Sequence, residues 1–435
     1  MTREPIVFGP VEDAVRQQIA ACQAVEEDAP AVLCADNHLG YSMPIGGVVG
    51  YEAHVSPSAV GYDIACGNCA VRTDALAKDI NRAAVMDDIW RILSFGMGRR
   101  NEEQAEDAVL DEIAECSHPI QKGLAQMASQ QLGTVGSGNH YVDLFEDAAD
   151  GALWVGVHFG SRGFGHKTAT WALEQAGTKN DSMMAPPVTI PLNSELGRLY
   201  IDGMERAGRY AYAGRNWVID RVLQILGAHA TDRIHNHHNF AWLDEHGCRA
   251  LWVHRKGATP AFPGQKGFVG GTMGESAVIL EGVESGVSAS ALYSTVHGAG
   301  RVLSRTKAAG KTKTFKQWSC GQRSCARHNN GWPAREFNRG PNGLLPKCPE
   351  CVGSLHLQTT TTQVAQGLVD YPAWQAKLAS QGIEIRGGGA DEAPECYKRL
   401  PEVLAFHAGT VEVLHVLNPI GVAMAGKDTF DPYKD

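Results

Sequence analysis

The chain has 435 residues, 43% of them apolar and 20% charged, with a formal net charge of −9. At roughly 150 residues per domain that length accommodates one large domain or two to three small ones. No apolar run approaches the roughly 18 residues that cross a bilayer, which excludes a membrane-spanning helix. The opening MTREPIVFGP has an acid and prolines where a signal peptide needs a positive end and an apolar stretch, so the expected compartment is the cytoplasm. There the eleven cysteines should be mostly reduced, and their odd number argues against a disulfide framework.

Taken in chain order, residues 11–26 are apolar at helical spacing through Val11, Val15, Ile19 and Cys22 and predict a first helix. AVLCADNHLG reads as a buried strand entering a polar turn. From Met43 to Thr73 glycine recurs among β-branched residues, a pattern of strands and tight loops in which backbone can approach a ligand closely. Helices are predicted over 102–116 and 120–132, then strands in GTVGSGNHYVDLFED and LWVGVHFGSRG. A long helical stretch runs from Ser194, its N-cap, to His229, with a break expected near Gly214. Strands return at ALWVHR and SAVILEG. A basic, Cys-containing stretch follows, then a helix over 370–381, the strand GIEIRG and the terminal strands of VEVLHVLNPIGVAMA. No repeat and no regular alternation of strand and helix is present, so the expected fold class is mixed α/β.

Charge is unevenly placed. From Arg301 to Lys347 there are eleven Lys/Arg against one acid, Glu336, so this window carries +10 while the remainder carries −19. A solvated basic face accounts for such a run, and so does a surface that attracts a polyanion. Residues 318–365 contain Cys320-x4-Cys325 and Cys348-x2-Cys351, with His328 and His356 nearby. Two cysteine pairs 22 residues apart fit a tetrahedral structural zinc site, with a redox pair or unpaired thiols as the alternatives.

Five further segments bring metal-ligating side chains next to glycine or asparagine: GYDIACG (Asp63, Cys66), GSGNHY (Asn139, His140), GVHFGSRG (His158), IHNHHNF (His238, Asn239) and STVHGAGR (His297). Imidazole, thiolate and carboxylate together suit manganese, iron, cobalt or zinc, and one thiolate, one carboxylate and three histidines suffice for two metals if Cys66 bridges. Each histidine alone is more simply a hydrogen-bonded structural residue.

DNHLGYSMPIGGV, SPSAVGYDIACGNCAVRT, GTVGSGNHYVDL, VHFGSRGFGH, HHNFAW, HRKGAT, GGTMGESAVILEG, STVHGAGRVLSRTKA, DEAPECYK and LNPIGV, in this order between residues 31 and 426, resemble the RtcB family of RNA-splicing ligases. The resemblance implies an RtcB-like fold, a single large catalytic domain over 1–435; the Cys-rich, basic stretch of 318–365, expected from its cysteine spacing to bind zinc, is longer than the family's and reads as an insertion within that domain. It also implies an activity, in RNA repair or splicing such as that of tRNA: joining RNA ends with a 3′-phosphate or 2′,3′-cyclic phosphate to 5′-hydroxyl ends, using GTP and two manganese ions. Asp63, Cys66, His140, His158 and His238 match the metal ligands, with Cys66 touching both ions. His297 matches the histidine that takes GMP from GTP and passes it to the RNA 3′-phosphate. Asn139, Asn239, Thr272, Gly298, Ala299, Gly300 and Tyr397 match nucleotide contacts, and Arg162, Lys256 and Arg301 are candidates for RNA phosphates.

The pattern also departs from the family's. PIGVAMAGK places Met424 where the family has a lysine that reaches the nucleotide, with Lys427 three residues later as its candidate replacement. Thr272 replaces a more usual serine, Ser276 sits one place before the expected hydroxyl, and Asp143 stands where glutamate is common. These departures suggest a divergent paralogue. They keep open two alternatives: an RNA 3′-end guanylyltransferase or cyclic phosphodiesterase without efficient sealing, and a non-catalytic RNA-binding pseudo-ligase.

Overall fold

The β-branched, glycine-punctuated sequence between residues 31 and 76 forms the strands Ala31–His38, Ile45–Tyr51 and Gly67–Leu76, since branched side chains pack well on a pleated surface. The computed structural model describes residues 4–177, 182–328, 331–340 and 343–426. Its contacts separate two compact units, Met1–Ser304 with Asp370–Lys434, and Arg305–Val369.

The larger unit is mixed α/β. One sheet has the order Ile6–Val7, Ala31–His38, Ile45–Tyr51, Arg249–Lys256, Asn239–His246. The other runs Lys266–Val269, Ala277–Gly282, Val411–Gly426, Tyr141–Asp147, Ala152–Phe159, Gly67–Leu76, Ala230–His237, with Glu384–Gly388 added in parallel to Val411–Gly426. Every residue of Ala152–Phe159 is buried, as a strand covered on both faces requires.

Helix Glu195–Leu226 packs against that strand. Its buried stripe of Tyr200, Met204, Ala207, Ala211, Val218 and Val222 follows the helical period. Ser194 caps it as expected, accepting a hydrogen bond from the Gly197 amide at 3.0 Å, and Gly227 ends it in the left-handed conformation. The break expected at Gly214 does not occur. The glycine lies within the buried stripe, whose packing outweighs a propensity cost of about 1 kcal/mol.

Among the described residues, two helices longer than ten residues lack a counterpart among the predicted elements: Arg82–Ile92, capped by Asn81, and Arg162–Gln175. The C-terminal segment is one strand, Val411–Gly426, with register shifts instead of an interruption.

The smaller unit is built on an antiparallel pair, Gly310–Cys320 with Leu355–Gln366, registered from Gly310↔Gln366 to Cys320↔Leu355. Trp332–Pro333 adds a short third strand. Its buried cluster is Trp318, Cys320, Cys348 and Leu355.

Candidate active site

Four neighbouring strands of the larger sheet deliver one ligand-bearing residue each to the same end. Because the strands alternate in direction, that end collects the residues just before Tyr141–Asp147 and Gly67–Leu76 and those at the close of Ala152–Phe159 and Ala230–His237. His140 and Cys66 occupy the first two places, His158 and His238 the others. Register confirms the level, with Tyr141 opposite His158, Asn68 opposite His158, and Gly67 opposite His237.

The donor atoms converge into two overlapping triads, Asp63–Cys66–His140 and Cys66–His158–His238, each with its atoms within 4.8 Å of one another. Cys66 belongs to both. Its Sγ lies 3.7 Å from Nε2 of His140 and 3.7 Å from Nε2 of His158, while His140 Nε2 is 3.2 Å from Asp63 Oδ2. Nδ1 of His158 donates to Asn68 Oδ1 at 2.7 Å, and Nδ1 of His140 donates to the Val135 carbonyl at 3.0 Å. Both hydrogen bonds fix the tautomer that leaves the Nε2 lone pair facing Cys66. Nδ1 of His238 is buried with no hydrogen-bond partner among the described residues, as a lone pair awaiting a cation would be.

The backbone is shaped for this convergence. Ala65 has φ 59°, a left-handed conformation that turns the chain between Asp63 and Cys66, and the Cys66 carbonyl accepts from the His238 amide at 2.8 Å. A Cβ on Gly160 would stand 2.2 Å from Asp63 Oδ1, so glycine there admits the carboxylate.

Electrostatics match the donor set. Burial drives the His158 and His238 imidazoles well below their usual range and keeps them neutral, the form that binds metal. Burial also pushes the Cys66 thiol up, so it loses its proton to a cation rather than to water. At Asp63 burial is opposed and outweighed by His140 and Arg162, which bring the carboxyl down to about 2. Sulfur, nitrogen and carboxylate oxygen around one shared thiolate fit a pair of divalent transition-metal ions.

His297 follows the strand Ser294–Val296, and its ring centroid lies 4.9 Å from that of His238. Its Nδ1 donates to Asp36 Oδ2 at 2.6 Å, and its backbone amide reaches the same oxygen at 3.1 Å. Asp36 is fully buried, and burial alone would neutralise it, but His297 holds its carboxyl below the usual range. Nε2 of His297 is therefore the nitrogen with a free lone pair.

Sequence reasoning missed two supporting residues. Asp36 lies 261 positions from its partner and sits in an unremarkable strand. Arg215 is fully buried, donates to the carbonyls of Ala65 at 3.0 Å and Phe159 at 2.6 Å, and contacts His235 and His237. It thus braces the residues adjoining Cys66 and His158. A signal existed: Arg215 occupies the buried stripe between Ala211 and Val218, where an apolar residue is due.

The remaining expected contacts are dispersed around this centre. Asn239 accepts from the Gly257 amide at 2.7 Å, whereas Asn139 is exposed. Gly298, Ala299 and Gly300 follow His297, and Gly300 has φ +80° with no room for a Cβ against the Asp36 carbonyl. Thr272 is buried with no partner for its hydroxyl among the described residues. Tyr397 hydrogen-bonds Glu392 and accepts from Arg301 at 2.8 Å, with the Arg301 guanidinium over its ring. Arg301 also pairs with Glu392 at 3.4 Å. Arg162 lies 3.1 Å from His140 Nδ1, a nitrogen already donating to Val135, so this is packing. Lys256 is buried, donates to the carbonyls of Tyr41 and Ser58, and is lowered to about 8 by burial. It lines a cleft of about 90 Å³ with Tyr41, Ser58, Tyr62 and Asn239. Met424 is buried opposite Tyr141. Lys427 lies outside the described residues. Asp143 is buried with no partner for Oδ1 among the described residues, and burial raises its carboxyl well above the usual range.

Residues 17–129 and 115–327 match the family model described as "tRNA-splicing ligase RtcB". The chain belongs to the RtcB family. It is 29% identical to the tRNA-splicing ligase RtcB of Archaeoglobus fulgidus over 380 residues, covering 69% of this chain and 79% of that protein. It is 30% identical to the tRNA-splicing ligase RtcB of Thermococcus kodakarensis, over 64% of this chain and 74% of the relative. The RNA-splicing ligase RtcB of Mycobacterium tuberculosis is 28% identical over 89% of this chain and 94% of its own length. The fold is accordingly the mixed α/β fold of this family, and the four cysteines of the smaller unit cluster within it. Among the described residues no helix is long and apolar enough to cross a membrane.

Proposed function

We propose that this RtcB-family chain is a GTP-dependent RNA ligase that joins 3′-phosphate or 2′,3′-cyclic phosphate ends to 5′-hydroxyl ends in RNA repair or splicing in the cytoplasm. The observation that carries the reading is the shared Cys66 thiol between two ligand triads, with His297 beside His238 and oriented by a buried carboxylate. Asp63, Cys66, His140, His158 and His238 would hold two manganese ions, which supply charge neutralisation at phosphate and activation of water for opening a cyclic phosphate. A structural zinc ion at Cys320, Cys325, Cys348 and Cys351 completes the metal complement.

Asp36 takes the Nδ1 proton of His297 in a hydrogen bond, leaving Nε2 to attack the α-phosphorus of GTP as pyrophosphate departs. A 3′-phosphate oxygen of the RNA then attacks the phosphorus on Nε2, which frees the imidazole and leaves an RNA 3′-ppG end. The 5′-hydroxyl displaces GMP from that end, closing the phosphodiester. Asn139, Asn239, Thr272, Gly298, Ala299, Gly300, Tyr397 and Lys427 are the proposed nucleotide contacts, with Arg162, Lys256 and Arg301 proposed on the RNA. Arg301 and Lys256 would act from fixed positions, since each is already held by protein oxygens.

Mixing the protein with GTP, manganese and RNA carrying a 2′,3′-cyclic phosphate and a 5′-hydroxyl should yield sealed product. Labelled GTP should leave an acid-labile, alkali-stable adduct that His297→Ala abolishes; label on a lysine, or an undiminished adduct, would reject the assignment. A second reading, an RNA 3′-end guanylyltransferase without efficient sealing, rests on the departures from the family pattern, the buried Met424 among them. That reading requires RNA 3′-ppG to accumulate in the same reaction.

A further inference from the structure

The smaller unit has little with which to hold itself together. Between Arg305 and Val369 lie ten Lys/Arg and two acids, Glu336 and Glu350, a balance of +8 against −17 for the rest of the chain. Among the described residues its buried cluster holds two apolar side chains, Trp318 and Leu355, and two cysteines, with Trp332, Phe337 and Leu345 half-buried against it. A core of this size is small against the ordering of about 60 residues, the situation in which a cross-link or a metal adds most.

The tip of the ribbon has the geometry of a metal site. Sγ atoms of Cys320, Cys325, Cys348 and Cys351 all lie within 4.8 Å of one another, with Cys320–Cys351 at 3.2 Å and Cys325–Cys348 at 3.8 Å. A tetrahedron with Zn–S bonds of about 2.3 Å has edges of about 3.8 Å. All four are free thiols. The backbone wraps the sulfurs closely. The Gln322 amide points at Cys320 Sγ at 3.4 Å, and the Cys348 amide donates to the Gly353 carbonyl at 2.7 Å. A Cβ on Gly353 would come 3.2 Å from Cys320 Sγ and 3.3 Å from Cys351 Sγ. Val352 is held at φ 62°, a conformation a β-branched residue adopts only when its surroundings impose it.

We propose that Arg305–Val369 is a β-ribbon closed at its tip by one zinc ion on these four thiolates, and that its cations hold the phosphate backbone of RNA. Binding Zn²⁺ releases four thiol protons, so the centre contributes −2 and the unit still carries +6. Lys311, Lys313, Lys316, Arg323, Arg335, Arg339 and Lys347 are exposed on it. An acidic partner of this density is a nucleic-acid strand, since each phosphate neutralised also releases a condensed counterion. The identity of that polyanion rests on the RNA substrate proposed above; the zinc site does not.

The test uses the full-length protein and a single-stranded RNA with 5′-phosphate and 3′-hydroxyl ends, without GTP, so that binding is read apart from ligation. Metal analysis should find one zinc per chain, and Cys348→Ser with Cys351→Ser should remove it. Lys311→Gln with Lys316→Gln and Arg323→Gln should keep the zinc and lower the salt slope of RNA binding by about two. That corresponds to a loss of affinity of roughly ten- to hundredfold at 0.1 M salt. Both variants should still form the GMP adduct of His297. A wild type that carries no zinc, or disulfides in its place, overturns the metal site. A triple variant that binds RNA with unchanged affinity and slope overturns the RNA role. Loss of the wild-type GMP adduct would instead reject the ligase reading and leave the zinc result standing.

Discussion

The two units solve the same problem, fixing thiolates and imidazoles near one another, by opposite means. In the larger unit the ligands stand at the rim of the fold: four strands are held by their own hydrogen bonds and by buried valine, leucine and phenylalanine side chains, and their ends bring Cys66, His140, His158 and His238 together. In Arg305–Val369 the ligands are a large part of the core itself. The difference teaches where metal removal should be felt. Taking an ion from a preformed site costs activity, whereas taking it from a site that constitutes the core costs structure.

The sharpest way to break this comparison is Cys66→Ala. Loss of the shared thiolate should abolish manganese binding at both triads and lower guanylylation by several orders of magnitude, with circular dichroism and thermal melting of the metal-free protein nearly unchanged. A variant that retains full activity at low manganese would remove the bridging role. Next in size is Asp36→Asn, which keeps the shape but allows the wrong His297 tautomer. The rate of adduct formation should fall about 10²–10⁴-fold while metal content stays constant. Equal loss of metal and rate would mean that Asp36 supports the fold rather than His297.

The smallest effect is an acid limb in the stability of the metal-stripped protein. His158 and His238 are held neutral by burial, and His38, His254 and His407 are lowered to about 4. The unfolded chain takes up protons near pH 6.5 that the folded chain refuses, so this contribution is complete above that pH and is lost as pH falls. Stability should therefore decline as the pH falls from about 6.5 towards the folded values of these histidines, with the direction set by burial. Denaturant titrations from pH 7.5 to 4.5 read it directly, and a flat profile would show that these imidazoles are hydrated.

Much of the candidate site was legible because its chemistry is local: a ligand beside glycine or asparagine marks a loop where a side chain meets a ligand. What stayed hidden was non-local. Asp36 acts on a residue 261 positions away, and nothing in AVLCADNHLG announces it. The helix Arg162–Gln175 is obscured in the sequence by Gly163 and Gly165, residues of low helix propensity. In the fold Gly165 is there because a Cβ would meet Ser161 Oγ at 1.8 Å, a packing demand that propensity does not encode. The break expected at Gly214 failed because the buried stripe of the helix runs through it, a tertiary effect that a single glycine does not override.

The stem of the smaller unit carries one more consequence. Gly310 and Gln366 are paired neighbours, and the Leu368 and Val369 amides donate to the carbonyls of Lys307 and Ala308. Residues some 60 positions apart in sequence therefore leave the unit side by side. To the rest of the chain such a stem is topologically equivalent to a short hairpin turn, so the segment between its feet can lengthen, shorten or be exchanged without any strand of the larger unit changing its neighbours. A module bounded in this way can be gained or lost in a single genetic event, and its history need not be the history of the ligase fold that carries it.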